Sequence, residues 1–529
     1  MSPTATATAP VTVEPSTVPP VVDRVVDMHP RRVHVHDGLT VLGARERNLR
    51  ITAAALQRAG VPFFLVPAGR DQGSALGVAE EHRDRTLGAL RALLTEEEGY
   101  VASAVPAPRQ PTQPLAGSRR STWEKHGQAQ VLRLIWFRTE PASRLVFSDA
   151  TSCDVEFWRT EGERLVAPRQ NRVARSVRAD APTTRVPAGQ FSRLYARPVA
   201  GARELPTFAE FVYDQPDDIT FPVDLVYTWV DASDPAWAAR RAGVVGETYH
   251  AESASAARFL NRNELRYSLR SVHANAPWVR TVYVVTDGQR PAWLADDDRV
   301  QVVDHREVFR RPEVLPTYNS HAIESQLHHI DGLSEQFLYL NDDMFFGRPV
   351  TPQTFFLASG LTKVFLSPSR VPMGPVEDGD TPVDAACKNN RALLQRRFGR
   401  QMSQTFQHAP YALRRDVLAE IEAAFPEEHA RTAASRFRST GDLSITSSLA
   451  HYWGLFSGRA IASSLAYSYT QLATPDLGER LTRLLHRRDQ DTFCLNDAFS
   501  DESEIPGQLA VLAPFLEGYF PVRSPHERD

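Results

Sequence analysis

The sequence predicts an α/β protein: a mostly parallel sheet within residues 206–529, preceded by a small α+β domain over residues 23–205. Three observations lead there. Runs of β-branched and aromatic residues recur at VDLVYTWV (223–230), TVYVVTDG (281–288), VQVVDH (300–305) and FLYLNDD (337–343), and each finishes in acidic or polar residues. Segments with helical spacing stand between them at 258–280 and 320–330. That alternation is the pattern of a parallel sheet carrying helices. Upstream, two helical patterns are followed by a series of short strands, the order of an α+β unit.

In chain order, residues 1–22 hold little besides Pro, Thr, Ala and Val and predict a disordered tail. LGARERNLRITAAALQRAG (42–60) has helical spacing and stops at Gly60. VPFFLVP (61–67) follows as a strand, and AEEHRDRTLGALRALLTEEEG (79–99) as a second amphipathic helix. Residues 131–168 read as successive strands with turns. No catalytic constellation stands out in this part, which points to a structural or acceptor-positioning role. Residues 201–222 read as a linker.

The strand at 223–230 ends in Asp231, Ser233 and Asp234, with Pro235 closing the turn. Carboxylates at the C-terminal end of such a strand lie where α/β sheets bind ligands. The same residues also suit an Asx turn and a helix N-cap. In the next helix Leu265, Leu269 and Val272 form the apolar face. Asn263, Glu264, Arg266 and Arg270 are expected on solvated faces. Helix 320–330 puts His321, Glu324 and His328 at spacings of three and four, on one face. That face suits a metal, acid/base chemistry, or simply solvent. In FLYLNDDMFF (337–346) two adjacent carboxylates, Asp342 and Asp343, interrupt an apolar run. A divalent cation would offset their desolvation; a turn is the alternative. Residues 363–400, with several prolines, are expected to be a long irregular loop that gates substrate.

Composition narrows the classes of function. An apolar fraction of 42% and a charged fraction of 23% are those of a globular protein. A net charge of −4 gives no global field for nucleic acid. Three widely spaced cysteines, Cys153, Cys387 and Cys494, offer neither a disulfide framework nor a zinc spacing. No apolar run is long enough to span a bilayer, and the N-terminus lacks a secretory h-region. The expected location is the cytoplasm, with peripheral association to membrane polysaccharide machinery through partners.

Long motifs then carry a resemblance. VDLVYTWVDASDPAW, NRNELRYSLRSVHANAPWVRTVYVVTDGQRPAWL and LPTYNSHAIESQLHHIDGLSEQFLYLNDDMFFGRPV resemble the first two blocks of the Stealth family of sugar-phosphate transferases. QHAPYALRRDVL, RFRSTGDLSITSSLAHYW and DTFCLNDAFSD resemble its later blocks. The catalytic part of the animal N-acetylglucosamine-1-phosphotransferase is similar. The resemblance covers about 220–520 and implies a Rossmann-like nucleotide-sugar transferase domain. It implies transfer of a sugar 1-phosphate from a nucleotide-diphosphate sugar to a glycan hydroxyl, with release of the nucleoside monophosphate. Runner-up readings are a metal-dependent glycosyltransferase releasing the diphosphate, or a non-catalytic polysaccharide-binding protein.

Carried over residue by residue, the family's catalytic positions fall on Glu324, Asp343, His408 and Arg438. Asp342, Asp343 and Asp497 are the candidate ligands for a divalent cation, magnesium or manganese. Substrate-binding candidates in the first blocks are Asp224, Asp231, Asp234, Arg266 and Asp287. Asn319 and Asn341 follow in the second block, and Asp442 and Asn496 in the later ones. The animal enzyme has a neutral Asn where this chain has Asp231. Which of Glu324 and His408 is base and which is ligand stays open.

Overall fold

The structure, a computed structural model, describes residues 24–28, 31–69, 73–104, 113–141, 145–195, 203–244, 259–497, 500 and 503–528. The tail expected over 1–22 lies outside them. The fold is mixed α/β. In the first part, strand Cys153–Glu161 pairs in parallel with Ser74–Ala79 and antiparallel with Val131–Ile135. Helices Val41–Arg58 and Arg83–Glu96 supply Leu49, Leu56, Leu90 and Leu94 to the core beside that sheet. The second helix is shorter than its expected span because Ala79 still belongs to the strand Ser74–Ala79 and Glu80–His82 form a 3-10 turn before it. The buried apolar clusters of this part share no residue with those beyond Val223.

The part that carries the site is built on five strands. We label them β1 (Val223–Thr228), β2 (Val282–Thr286), β3 (Val300–Asp304), β4 (Gln336–Asn341) and, after a short β5 (Met344–Phe346), β6 (Tyr411–Arg414). Their order across the sheet is β3-β2-β1-β4-β6. The first four run parallel and β6 antiparallel. Register aligns their ends: Thr228 sits beside Asn341, and Thr286 beside Asp304. Phe337, Leu338, Tyr339 and Leu340 on β4 are buried, as the aromatic run predicts. Each such side chain contributes on the order of 2 kcal/mol, enough to hold the charged turn that follows.

Helix α1 (Pro235–Ala242) begins at Asp234, which caps it by accepting from the Ala236 amide. Helix α2 (Glu264–Asn275) is shorter than the expected 258–280 span. Its entrance is Asn263, in the left-handed region at φ 66°. Arg270 is not on a solvated face: it is buried and paired with Glu527 at 2.8 Å. The helix expected over 320–330 breaks. Only α3 (Ser320–Glu324) is α-helical, and a 3-10 turn, Leu327–His329, follows. His328 therefore leaves the face of Glu324 and turns to Glu422, 2.8 Å away.

Residues 363–400 are not one long loop. Thr362–Arg370 is a strand paired with Gln404–Phe406 and Ala460–Ser463, and Pro382–Phe398 is a helix capped by Thr381. Only the connection between them is irregular. A three-stranded sheet of Met344–Phe346, Thr492–Asn496 and Tyr467–Gln471 closes one side of the site. Among the described residues, no helix is long and apolar enough to cross a membrane.

Candidate active site

The C-terminal ends of β1, β2, β3 and β4 open on a cavity of about 1000 Å³. Thr228, Asp287, His305, Asn341, Asp342 and Asp343 line it from the sheet. Arg438, His408, Tyr469, Asn496 and Asp497 line it from later segments. Chains far apart in sequence therefore meet at one sheet edge, as ligand sites of such sheets do.

Its floor is electrostatically unbalanced. Asp342 and Asp343 share it with Glu264, a buried carboxylate at the start of α2. Burial first, then the charges of Glu264 and Asp343, push the Asp342 carboxyl well above the usual carboxylate range. Burial likewise raises Glu264, with Asp343 adding to it and Arg262 opposing. Arg262 is shared: its backbone amide donates to Glu264 at 2.6 Å, and its guanidinium pairs closely with Asp497. Asp343 accepts from the Asn496 amide at 3.2 Å through Oδ2, while its buried Oδ1 has no hydrogen-bond partner among the described residues. Three crowded carboxylates and an orphaned oxygen fit a divalent cation, which takes oxygen ligands. Ligand atoms of Asp343, His408 and Cys494 also lie within 4.8 Å of one another. Burial and the neighbouring Asp343 charge raise the Cys494 thiol well above its ordinary value, which keeps it protonated.

His408 is held in a defined orientation. The Tyr339 hydroxyl donates to Asn341 Oδ1 at 2.9 Å. Asn341 Nδ2 is thereby turned toward His408 Nε2, 3.3 Å away. His408 Nδ1 faces the Tyr411 hydroxyl at 2.9 Å. The network assigns the proton to Nδ1, which donates to Tyr411, and the Nε2 lone pair accepts from Asn341. Register supports this, because Tyr339 and Tyr411 are paired across β4 and β6.

Glu324 stands differently from its expected place. It is buried behind the cavity wall, not on it, with its carboxylate held closely by the Thr446 hydroxyl. After burial, its charge is the next cause that lifts the Tyr339 and Tyr411 hydroxyls well above the phenol range. It thus reaches His408 through the two tyrosines.

Arg438 lines the cavity and donates to the Ser320 hydroxyl at 2.7 Å. Its loop is fastened by Asp442, which is fully buried. Asp442 accepts from Asn319 Nδ2 at 2.8 Å and from the Ser439 amide at 2.9 Å. Asn319 also caps α3. Asn319 and Asp442 therefore shape the wall without facing the cavity.

Several expected ligands lie elsewhere. Asp224 is at the opposite, N-terminal end of β1, fully buried and paired bidentately with Arg280. Arg266 points away to Glu527 at 2.6 Å. Both departures have one cause: position along a strand or helix face is not visible in residue type. Asp231 accepts from Asn261 at 2.9 Å and from the Ser233 hydroxyl, and Asp234 from Gln289 at 3.0 Å. They order the turn beside the cavity and do not line it. Asp287 lines it, with Arg240 at 2.9 Å. Residue type and spacing do not point to Arg262 and Glu264, which line the cavity, or to Cys494, which is buried behind it near Asp343. The NRNE stretch carries only a trace of the first two, a charge pair just ahead of an apolar helix face.

Comparison with known proteins agrees with this distribution. Models described as Stealth protein conserved regions 1, 2, 3 and 4 match residues 221–249, 258–364, 407–455 and 482–529. An exopolysaccharide phosphotransferase of Streptomyces coelicolor is 50% identical over 499 residues, covering 94% of this chain and 92% of its own. One of Nocardia farcinica is 37% identical, covering 93% and 89%. One of Mycobacterium tuberculosis, CpsY, is 35% identical, covering 95% and 92%. Among solved structures, the galactosyltransferase LgtC shows 10% identity and a TM-score of 0.30 over 55% of this chain and 95% of its own, too slight a likeness to argue from. With all four regions present and relatives matched nearly end to end, the chain belongs to the Stealth family.

Proposed function

We propose that the protein is an exopolysaccharide phosphotransferase. It moves a sugar 1-phosphate from a nucleotide-diphosphate sugar to a glycan hydroxyl, forms a phosphodiester and releases the nucleoside monophosphate. The observation that carries this reading is the crowding of Glu264, Asp342 and Asp343 in a cavity that also holds Arg438 and His408. The names of its relatives support the same chemistry.

Asp342 and Asp343 would hold the divalent cation, magnesium or manganese, with Asp497 and Asn496 beside them. Such an ion supplies charge neutralisation for a pyrophosphate and its leaving phosphate. Arg438, a planar fork anchored by Ser320, suits the oxygens of the phosphate under attack. His408 Nε2 would take the proton of the acceptor hydroxyl once that hydroxyl replaces the Asn341 contact, with Tyr411 holding the ring from Nδ1. Glu324 is a positioning residue that acts through Tyr339 and Tyr411. The domain from 206 to 529 would be a Rossmann-like nucleotide-sugar domain. Residues 23–205 would form an accessory domain that orients the acceptor. The site of action would be the cytoplasm, beside the membrane's polysaccharide machinery.

Incubating the full chain with a panel of nucleotide sugars and glycan acceptors, with magnesium or manganese, tests this directly. Nucleoside monophosphate release together with a phosphodiester product is expected. Nucleoside diphosphate release would instead make it a glycosyltransferase. Metal-dependent donor binding without turnover over a broad acceptor panel would make it a binding protein.

A further inference from the structure

Away from the cavity, a second constellation joins the 3-10 turn after α3 to the helix Arg415–Ala424. His328 Nε2 and His329 Nε2 lie 2.8 and 2.9 Å from one and the same oxygen, Glu422 Oε2. None of the three lines the cavity. Their side chains are 4%, 11% and 19% exposed, so the cluster is enclosed but reachable from solvent on the Glu422 side.

The proton inventory of this cluster does not close with neutral rings. His329 Nδ1 faces the Val308 carbonyl oxygen at 3.3 Å, a contact that only an N–H makes favourably. A neutral imidazole has one N–H, so Nε2 then carries a lone pair. That lone pair points at a carboxylate oxygen 2.9 Å away. A positive centre must stand between them, either a second proton on the ring or a metal ion. A metal-bound histidine commonly donates its far N–H to a backbone carbonyl, which is the arrangement of His329. His429 is not a third nitrogen ligand, since its Nε2 is committed to the Ser325 carbonyl at 3.0 Å. Arg310 approaches the other Glu422 oxygen, Oε1, at 3.7 Å and leaves Oε2 to the histidines.

We propose that His328 Nε2, His329 Nε2 and the Glu422 carboxylate bind a divalent transition ion of the zinc class, with solvent at the fourth position. Two imidazoles and one carboxylate suit zinc and disfavour magnesium or calcium. On a tetrahedral zinc, ligand atoms stand about 3.3 Å apart; the two nitrogen–oxygen spacings need to open by about half an ångström, and the three ligand atoms lie within 4.8 Å of one another. Binding releases the second proton of His329 from Nε2 to solvent, and the proton of the neutral His328 ring moves from Nε2 to Nδ1, so each ring ligates as a neutral imidazole. The ion pins the turn that follows Ser320 and Glu324 to the helix behind it. It is thus a clamp on the segment that backs the cavity, distinct from any cation held by Asp342 and Asp343.

The test is metal content. The full chain is loaded with zinc chloride, gel-filtered and measured by elemental mass spectrometry. The Asp343→Asn variant is treated in parallel so that the cavity carboxylates do not contribute. About one zinc per chain is expected in Asp343→Asn, with any zinc on the cavity carboxylates adding to it in the unaltered chain, and under about a tenth when His329→Gln or Glu422→Gln is introduced into Asp343→Asn. Cobalt loading gives a second readout, the visible absorption bands of a four-coordinate nitrogen–oxygen site, present in Asp343→Asn and lost in the two cluster variants. Near-zero zinc in the unaltered chain overturns the proposal and leaves a proton-bridged ion pair. So does equal zinc in the cluster variants, and so does loss of zinc in Asp343→Asn. The first and third outcomes need no cluster variant to fold.

Discussion

The two ends of one sheet treat buried carboxylates in opposite ways. At the N-terminal end, Asp224 is fully buried, and its neighbourhood satisfies it. Arg280 forms a bidentate pair with it, the Ser334 amide donates at 2.7 Å, and the Thr281 amide donates at 3.2 Å. At the C-terminal end, Asp342, Asp343 and Glu264 crowd one another beside a single shared guanidinium, and Asp343 Oδ1 is left unpartnered among the described residues. A satisfied buried charge holds a fold together. An unsatisfied one destabilises it and persists where a ligand completes it. The sheet therefore separates a joint at one end from a site at the other.

The sharpest way to break that comparison is to neutralise one carboxylate at each end. Asp343→Asn should lower turnover by about 100- to 1,000-fold, the effect of losing one charge-stabilising group. Its thermal midpoint should hold or rise, because a like-charge contact is relieved. Nucleoside monophosphate release and a melting curve on the same preparation check both halves. A stable, fully active Asp343→Asn would remove the residue from the mechanism.

Asp224→Ala should do the reverse. It strands Arg280 and two backbone amides, so a stability loss of about 3 kcal/mol is expected in denaturant titrations. Turnover per folded molecule should be unchanged. A fall in turnover at unaltered stability would mean that Asp224 acts on substrate and that the two ends are not separate.

The same contrast explains what could be read from sequence. Strand ends and the Asp342–Asp343 pair were legible because an apolar run that meets charges is a local signal. His408 and Arg438 became legible only through long motifs. What stayed hidden was set by distant partners. Arg270 looked like a surface residue because Glu527, its partner, is 257 positions away. Glu264 looked solvated because helix-face counting cannot distinguish a buried carboxylate from a hydrated one. His328 kept the spacing of Glu324, yet the chain leaves the α-helix between them, and the face they would have shared does not exist.

A smaller effect, with pH, sharpens the comparison further. His305 lies on the cavity wall, and burial lowers it to about 4 against the opposing charges of Asp287 and Asp304. His451 lies behind the wall between Phe406 and Tyr411, and burial lowers it to about 3. Both rings are neutral in the folded protein, while the unfolded chain takes up a proton near pH 6.5. Stability is therefore full above that pH and falls as pH drops from about 6.5 toward 4, where the folded rings begin to protonate. At pH 5.5 each ring should cost about 1 kcal/mol relative to pH 7. His451→Leu should remove its share of the slope and leave that of His305. Hydrogen exchange at pH 5.5 tells where the loss occurs. Amides of 404–414 and 300–309 should open first, while those of 223–226, in the strand that carries Asp224, stay protected. Opening that began at 223–226 would mean that the satisfied joint, not the cavity wall, is the acid-labile end of the sheet.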